Sequence, residues 1–401
     1  MNMLAPDYAM PEGSVRDATN IDVTNEGVLR TRNGHAVSPR VAGTNCHSLF
    51  ATPNLMLHAD GSQLKRTVGP LTDVVASIQP SQPICYGRLP DGSIAWSDGG
   101  SIGKVSQLGA SIPLSLASPG SPAIAAASNG LQREGRYLVA VTWVAFSGEE
   151  SPPSLPVAIN LQDGQGIQLS GIPASAPTGA IGLRVYCSHT NEAVLFEAAF
   201  VGVGTTSLRI DSPPSGRALE TLFEANFPAC TSLAFCVGRL LGARGNLFVW
   251  SEAFRPGVYR PAKNFIQFPA PVTLIAPTQD GVYVGTESEV VFLPGFDFGN
   301  QAYRPITPYG AYPGTLVDMP HTLQMGWASP QGFVIADNSG AVVNISMDKV
   351  AFPGAIRGGS LLREENGMRQ IVSSLSPSGP ANLLAASDYA EGEIIKGASN
   401  G

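Results

Sequence analysis

Apolar and polar residues alternate with a period of two along most of this chain, in runs of four to eight bounded by Gly, Pro, Asn, Asp and Ser. The stretch "DGVYVGTESEV" (280–290) is typical, with a tight turn, a short apolar strand, a polar turn and the start of a second strand. Similar units recur as "DGSIAWSDGG" from Asp91, "GNLFVWSEAF" from Gly245, "QGFVIADNSGAV" from Gln331 and "ANLLAASDYAEGEI" from Ala381, with a looser copy around Asn54. Helical periodicity is nearly absent. Only "GRALETLFEA" (216–225) and the segment near Leu361–Glu365 offer short helical candidates. The expected fold class is all-β.

The middle of the chain differs from its flanks. "REGRYLVAVTWVAFSGEESPPS" (133–154) predicts a long strand, a turn at Ser147–Gly148 and a Pro-rich exit. Alternation places Tyr137, Val139, Val141 and Trp143 on one face, and Leu138, Ala140, Thr142 and Val144 on the other. "AIGLRVYCSHTNEAVLFEAAFVGVGTTSLRID" (180–211) adds two or three antiparallel strands. About seven strands in about ninety residues suit one two-sheet sandwich. Through "YLVAVTWVAFSGEESPPS" and "LRVYCS", residues 121–213 resemble fibronectin type III-like modules. The repeated hairpins lie outside that span, in 1–120 and 214–401. At roughly 40–50 residues per blade, these flanks predict a β-propeller-like body of six or seven blades, interrupted by the sandwich and closed with N-terminal strands.

Composition sharpens this picture. Gly (45) and Pro (33) are abundant enough to punctuate many short strands, while 43% hydrophobic residues exclude a disordered polymer. Only 14% of residues are charged, against roughly a quarter in ordinary domains, which hints that neighbours cover part of the surface. A net charge of −7 without any basic block argues against gripping nucleic acid, though an acidic wall would let it slide past. The N-terminal stretch shows no signal-peptide pattern, and no run approaches the ~18 apolar residues of a membrane span. The five scattered cysteines suit reduced, buried thiols.

Candidate chemistry is sparse. "GGSIG" (99–103) matches a nucleophile-elbow pattern but precedes "KVSQLG" rather than a helix, so it reads as a turn. The histidines at 35, 47, 58, 189 and 321 lack metal-ligand spacing, and Cys230 and Cys236 have no second pair. His47 beside Cys46 reads as a solvated or hydrogen-bonded strand end. The acidic clusters "GEES" (148–151), "TESE" (286–289) and "REEN" (363–366) could supply paired carboxylates for glycoside hydrolysis, but read as soluble loop tips. "DGQGIQL" (163–169) lacks the carboxylates of a calcium loop. No catalytic, cofactor-binding or metal residue is expected, and the chain reads as a non-enzyme needing no cofactor. Around "FRPGVYRPAKNF" (254–265), Phe254, Arg255, Tyr259, Arg260 and Lys263 have the aromatic and basic character of interface anchors.

Three stretches resemble a bacteriophage family. "EGSVRDATNIDVTNEGVLRTRNGHAV" (12–37) is similar to the opening of tail nozzle (tail tubular B-type, tail-stabilising) virion proteins. The match runs through Arg16, Asp17, Asn20, Asp22, Gly27, Leu29, Arg30, Arg32 and Gly34. "VGRLLGARGNLFVWSEAFRPGVY" (237–259) resembles an internal blade of the same proteins, and "LLREENGMRQIVSSL…ANLLAASDYAEGEII" (361–395) their terminal strands. The resemblance implies a virion ring of six copies below the portal and adaptor, assembled in the bacterial cytoplasm. Such a ring forms the DNA-ejection channel, through whose lumen DNA passes without specific binding, and a platform for fibres or a needle. The competing class is a carbohydrate-binding or hydrolysing β-propeller.

Overall fold

A computed structural model describes residues 45–299, 303–319, 324–347, 349–352, 354–365 and 368–377, with Met10, Ile21–Val23, residues 28–31 and Gly43. The protein is all-β, built from many small antiparallel sheets, and no helix occurs among the described residues. None, therefore, is long and apolar enough to cross a membrane. The chain divides into two compact units, one of residues 35–277 and 295–303, the other of 1–34, 278–294 and 304–401.

In the first, larger unit, sequential hairpins form meanders. Cys46–Ala51, Met56–Asp60, Gln63–Val68 and Leu71–Ser77 make a four-stranded sheet in chain order. Cys85–Arg88, Ile94–Ser97 and Ile102–Val105 make a three-stranded one. Ser232–Cys236, Arg239–Arg244, Leu247–Trp250 and Phe265–Gln267 make another of four. The middle sheet is covered on both sides. Ile94 and Trp96 pack with Leu57, Leu64 and Val75 of the first sheet, while Ala95 packs with Leu233, Leu240 and Val249 of the third. Strand Ile94–Ser97 is consequently buried at every position, as a strand between two packed layers must be.

Between the second and third meanders lies a seven-stranded sandwich. Ala123–Gln132, Gln165–Ser170 and Leu208–Ile210 form one sheet. Val157–Leu161, Gly135–Ala145, Ala180–Ser188 and Leu195–Gly202 form the other, in that spatial order. Tyr137, Val139, Val141 and Trp143 enter the core with Ile167, Leu169, Leu183 and Val185, as the alternation predicts. The opposite face is covered too, because Ala140 packs with Tyr186, Leu195 and Leu219.

Leu219 comes from the first expected helix, which does not form. Residues 216–219 instead run along the edge of strand Leu195–Gly202. The amide of Glu197 donates to the Arg217 carbonyl at 2.8 Å, and that of Leu219 to the Leu195 carbonyl at 2.8 Å. One or two turns of isolated helix are marginal in water, whereas edge pairing satisfies the backbone and buries Leu219 together. The second expected helix is also a strand, Ala355–Glu365, paired along its length with Met368–Pro377.

In the other unit, Gly281–Thr286, Val290–Pro294 and Arg304–Thr307 pair in succession, and Val317–Met319, Gln324–Ser329, Gly332–Ala336 and Val342–Asn344 form a second meander. The two pack through Tyr283, whose ring lies 4.7 Å from Phe292 and 5.6 Å from Trp327. Its hydroxyl donates to the carbonyls of Asp337 and Ala341 at 3.0 and 3.1 Å. The opening motif thus forms the expected hairpin, with every residue of Gly281–Thr286 buried. Ile21–Val23 and Leu29–Thr31 pair antiparallel. The copy from Ala381 lies outside the described residues.

Candidate interaction site

The first unit carries two ionic clusters around one polar cleft. Strand Gly135–Ala145 ends in a turn that needs left-handed backbone at Gly148 (φ 83°), and the chain returns to place Glu150 opposite Val144. This carboxylate, expected at a solvated loop tip, is buried. It accepts from the Thr142 hydroxyl at 3.0 Å and the Tyr186 hydroxyl at 2.8 Å, and pairs with both Arg184 and Arg217. Glu197 closes the network, 3.2 Å from Arg184 Nε and 3.5 Å from Arg217 Nε. Burial, together with the adjoining Glu150 carboxylate, pushes the Tyr186 phenol above its ordinary range. With its oxygens committed to two guanidiniums and two hydroxyls, Glu150 is a structural anion.

The second cluster centres on Glu224. Arg255 grips it with two contacts, Nη1 to Oε1 at 2.8 Å and Nη2 to Oε2 at 2.7 Å. Arg260 stands 3.8 Å from both Glu224 and Glu252. Burial raises the Glu224 carboxyl above its usual range, against the pull of Arg255. Between the clusters is a cleft of about 430 Å³, lined by Glu150, Tyr186, Arg217, Thr221, Phe254 and Arg255. The buried Thr221 hydroxyl has no hydrogen-bond partner.

The five anchor residues expected from sequence divide by role. Arg255 and Arg260 hold Glu224 within the chain, and Tyr259 rests edge-on against Phe227 at 5.9 Å. Phe254 is 83% exposed, and Lys263 is exposed as well. Phe254 also has a left-handed backbone (φ 58°), shared by its neighbours across the ion pair and the backbone: Phe223 (φ 69°) and Val237 (φ 43°). The amide of Phe254 donates to the Gly238 carbonyl at 2.7 Å, and its ring lies over Gly238, where a Cβ would meet it at 2.8 Å. Sequence reasoning missed Phe223 and Val237. The one available sign was a bulky residue at the first turn position before Gly238, where Asn is usual.

Elsewhere the candidates scatter. Asp98 Oδ1 accepts from the amides of Gly100 (3.0 Å) and Ser101 (2.6 Å), making "GGSIG" a tight turn that leads into strand Ile102–Val105. "TESE" is a turn capped by Thr286, whose hydroxyl accepts from the Glu289 amide at 3.0 Å. "REEN" was expected at a loop tip, and Arg363–Glu365 are the last residues of strand Ala355–Glu365, paired with Gln370, Arg369 and Met368 where the hairpin turns back; Asn366 lies outside the described residues. His47 Nδ1 lies 2.9 Å from Ser48 Oγ. His58 is buried with neither ring nitrogen hydrogen-bonded, and burial and nearby Lys65 lower its pKa. All five thiols are free. Cys46 alone is exposed, and burial pushes Cys187, Cys230 and Cys236 up to about 12. Among the described residues no group of three His, Cys, Asp or Glu could hold a metal ion.

No family model matches the chain, and no curated protein matches it. Solved structures with a partial likeness include apo AztD from Citrobacter koseri, at 8% identity and a TM-score of 0.31, over 84% of this chain and 76% of that one. A chain from BBS1N in complex with ARL6DN is 12% identical with a TM-score of 0.30, over 86% and 97%. One from a mitotic checkpoint complex is 9% identical with a TM-score of 0.30, over 82% and 93%. Scores this low carry no inference about activity.

Proposed function

We propose that this chain is a structural subunit of a bacteriophage tail, a nozzle ring through which DNA leaves the particle. The observation that carries the reading is the resemblance of residues 12–37, 237–259 and 361–395 to that virion family. The architecture supports it. Sequential meanders stacked face to face suit blades of a β-propeller-like body, and the seven-stranded sandwich suits a fibronectin type III-like insertion at 121–213. Six or seven blades remain part of the proposal. The clefts also suit a mechanical part, because the buried carboxylates Glu150 and Glu224 are bound to arginines. In this reading six copies form the ring, portal or adaptor proteins lie above it, fibres or a needle attach below, and the acidic lumen passes DNA without holding it.

Light scattering on a size-exclusion column, with negative-stain imaging, tests the proposal. The expected particle has six times the 41.8 kDa mass of the chain and an annular outline. A chain that stays at 41.8 kDa across the accessible concentration range, alone and with portal or adaptor proteins, would defeat it.

A further inference from the structure

We propose that Phe223, Val237 and Phe254 form an apolar knob that seats in a cavity of a second copy of this chain. The three side chains are 79%, 62% and 83% exposed, and each sits on left-handed backbone that bulky and β-branched residues avoid. Glycine or Asn would hold the same turns with less strain. Large apolar groups kept on strained backbone and in water therefore need a reason outside the monomer. The turns are also braced. Arg255 clamps Glu224 between Phe223 and Phe254, and the Phe254 amide is tied to Gly238, next to Val237. The knob is thus pre-organised, which reduces the ordering cost of docking.

A matching socket lies in the unit containing residues 304–401. Between the Val317–Asn344 meander and the Ala355–Pro377 hairpin is an open, mainly apolar cavity of about 610 Å³. Phe333, Ile335, Ile345, Leu362, Ile371 and Leu375 line it, with Glu364 and Arg369 paired at 2.8 Å among its polar groups. That volume falls within the roughly 300–1,000 Å³ of sites that enclose small organic groups, so it has room for aromatic rings. At roughly 150–250 Å² per aromatic side chain, the knob offers an apolar centre of some 300–400 Å². A stable interface of about 800 Å² per partner is commonly built around such a centre. Arg260 and Glu364 already have ionic partners within the chain, so the contact rests on the apolar centre, with exposed Lys263 at its edge. Because knob and socket are different surfaces, the contact is head-to-tail and repeats from copy to copy, as a closed ring requires. The docking rests on the ring reading given above.

Cross-linking in a Cys46→Ser background tests the geometry directly. A Phe254→Cys copy mixed with an Ile345→Cys copy should form a disulfide-linked dimer under mild oxidation, which neither forms alone. The Phe223→Ser/Phe254→Ser variant should weaken association by about 30-fold or more, as loss of hot-spot side chains does. Filling the socket with Leu362→Trp should have the same effect, while far-UV circular dichroism stays native. If the parent assembles but the mixed pair does not cross-link above the single-variant level, the docking is wrong and the ring reading stands. If the parent is monomeric throughout, both fall.

Discussion

Replacing Val237 by Asn should stabilise the monomer, and the size of the gain follows from the turn. Val237 and Gly238 are the two central residues between paired Cys236 and Arg239, with φ values of 43° and 73°. Both being positive, the turn has the handedness of a type I′ hairpin, which favours Asn-Gly. A β-branched side chain there is strained by about 1–3 kcal/mol. Little opposes the exchange, since Val237 is 62% exposed and gives up little burial. For a unit of this size, a gain of about 1–2 kcal/mol moves the melting point up by roughly 2–8 °C. Calorimetry at a concentration where the protein is monomeric gives the comparison without linkage to assembly. Val237→Ala, which keeps the positive φ without β-branching, should fall between parent and Asn variant. A Val237→Asn protein melting at or below the parent would refute the strain argument. Under the docking proposal the stabilised variant should also associate more weakly, because its turn no longer ends in an apolar group.

Other outcomes follow from the same packing. Glu150→Ala leaves Arg184 and Arg217 without their buried carboxylate and should cost about 3–5 kcal/mol, read as a fall in the denaturant midpoint. Glu150→Gln, which still accepts from Thr142 and Tyr186, should lose less. Asp91 accepts from the Ser93 amide and hydroxyl at 2.9 and 2.5 Å; partial burial pushes its carboxyl up, but these bonds outweigh it and hold it below the ordinary value. Its contribution is therefore present above the unfolded pKa, about 4, and is lost as pH falls through the depressed folded value. An acid titration of Asp91→Asn should show a shallower fall in stability below about pH 4 than the parent. Gly257→Ala would place a Cβ 2.4 Å from that of Ser115 and should lower stability by about 1–3 kcal/mol in thermal melts.

Some features are legible in the sequence alone. Strand Gly135–Ala145 and hairpin Gly281–Pro294 were legible because alternation and turn residues act over a few positions, whatever the rest of the chain does. Tyr137, Val139, Val141 and Trp143 had to share one face once the strand formed. The paired candidate carboxylates were visible as acids near turns, but not the partners that decide what they are.

Those partners arrive from afar. Glu150 is a structural anion because Arg184 and Arg217 lie 34 and 67 residues further along, and nothing local distinguishes it from half-buried Glu149. Residues 216–219 are extended because strand Leu195–Gly202 offers an unpaired edge, which a short helix cannot outcompete. Phe223, Val237 and Phe254 converge only through an ion pair and one backbone bond between distant turns. Short-range sterics and solvation write the strands and hairpins into local sequence, whereas burial, charge pairing and the convergence of turns depend on which layers meet, and that is settled only when the whole chain has packed.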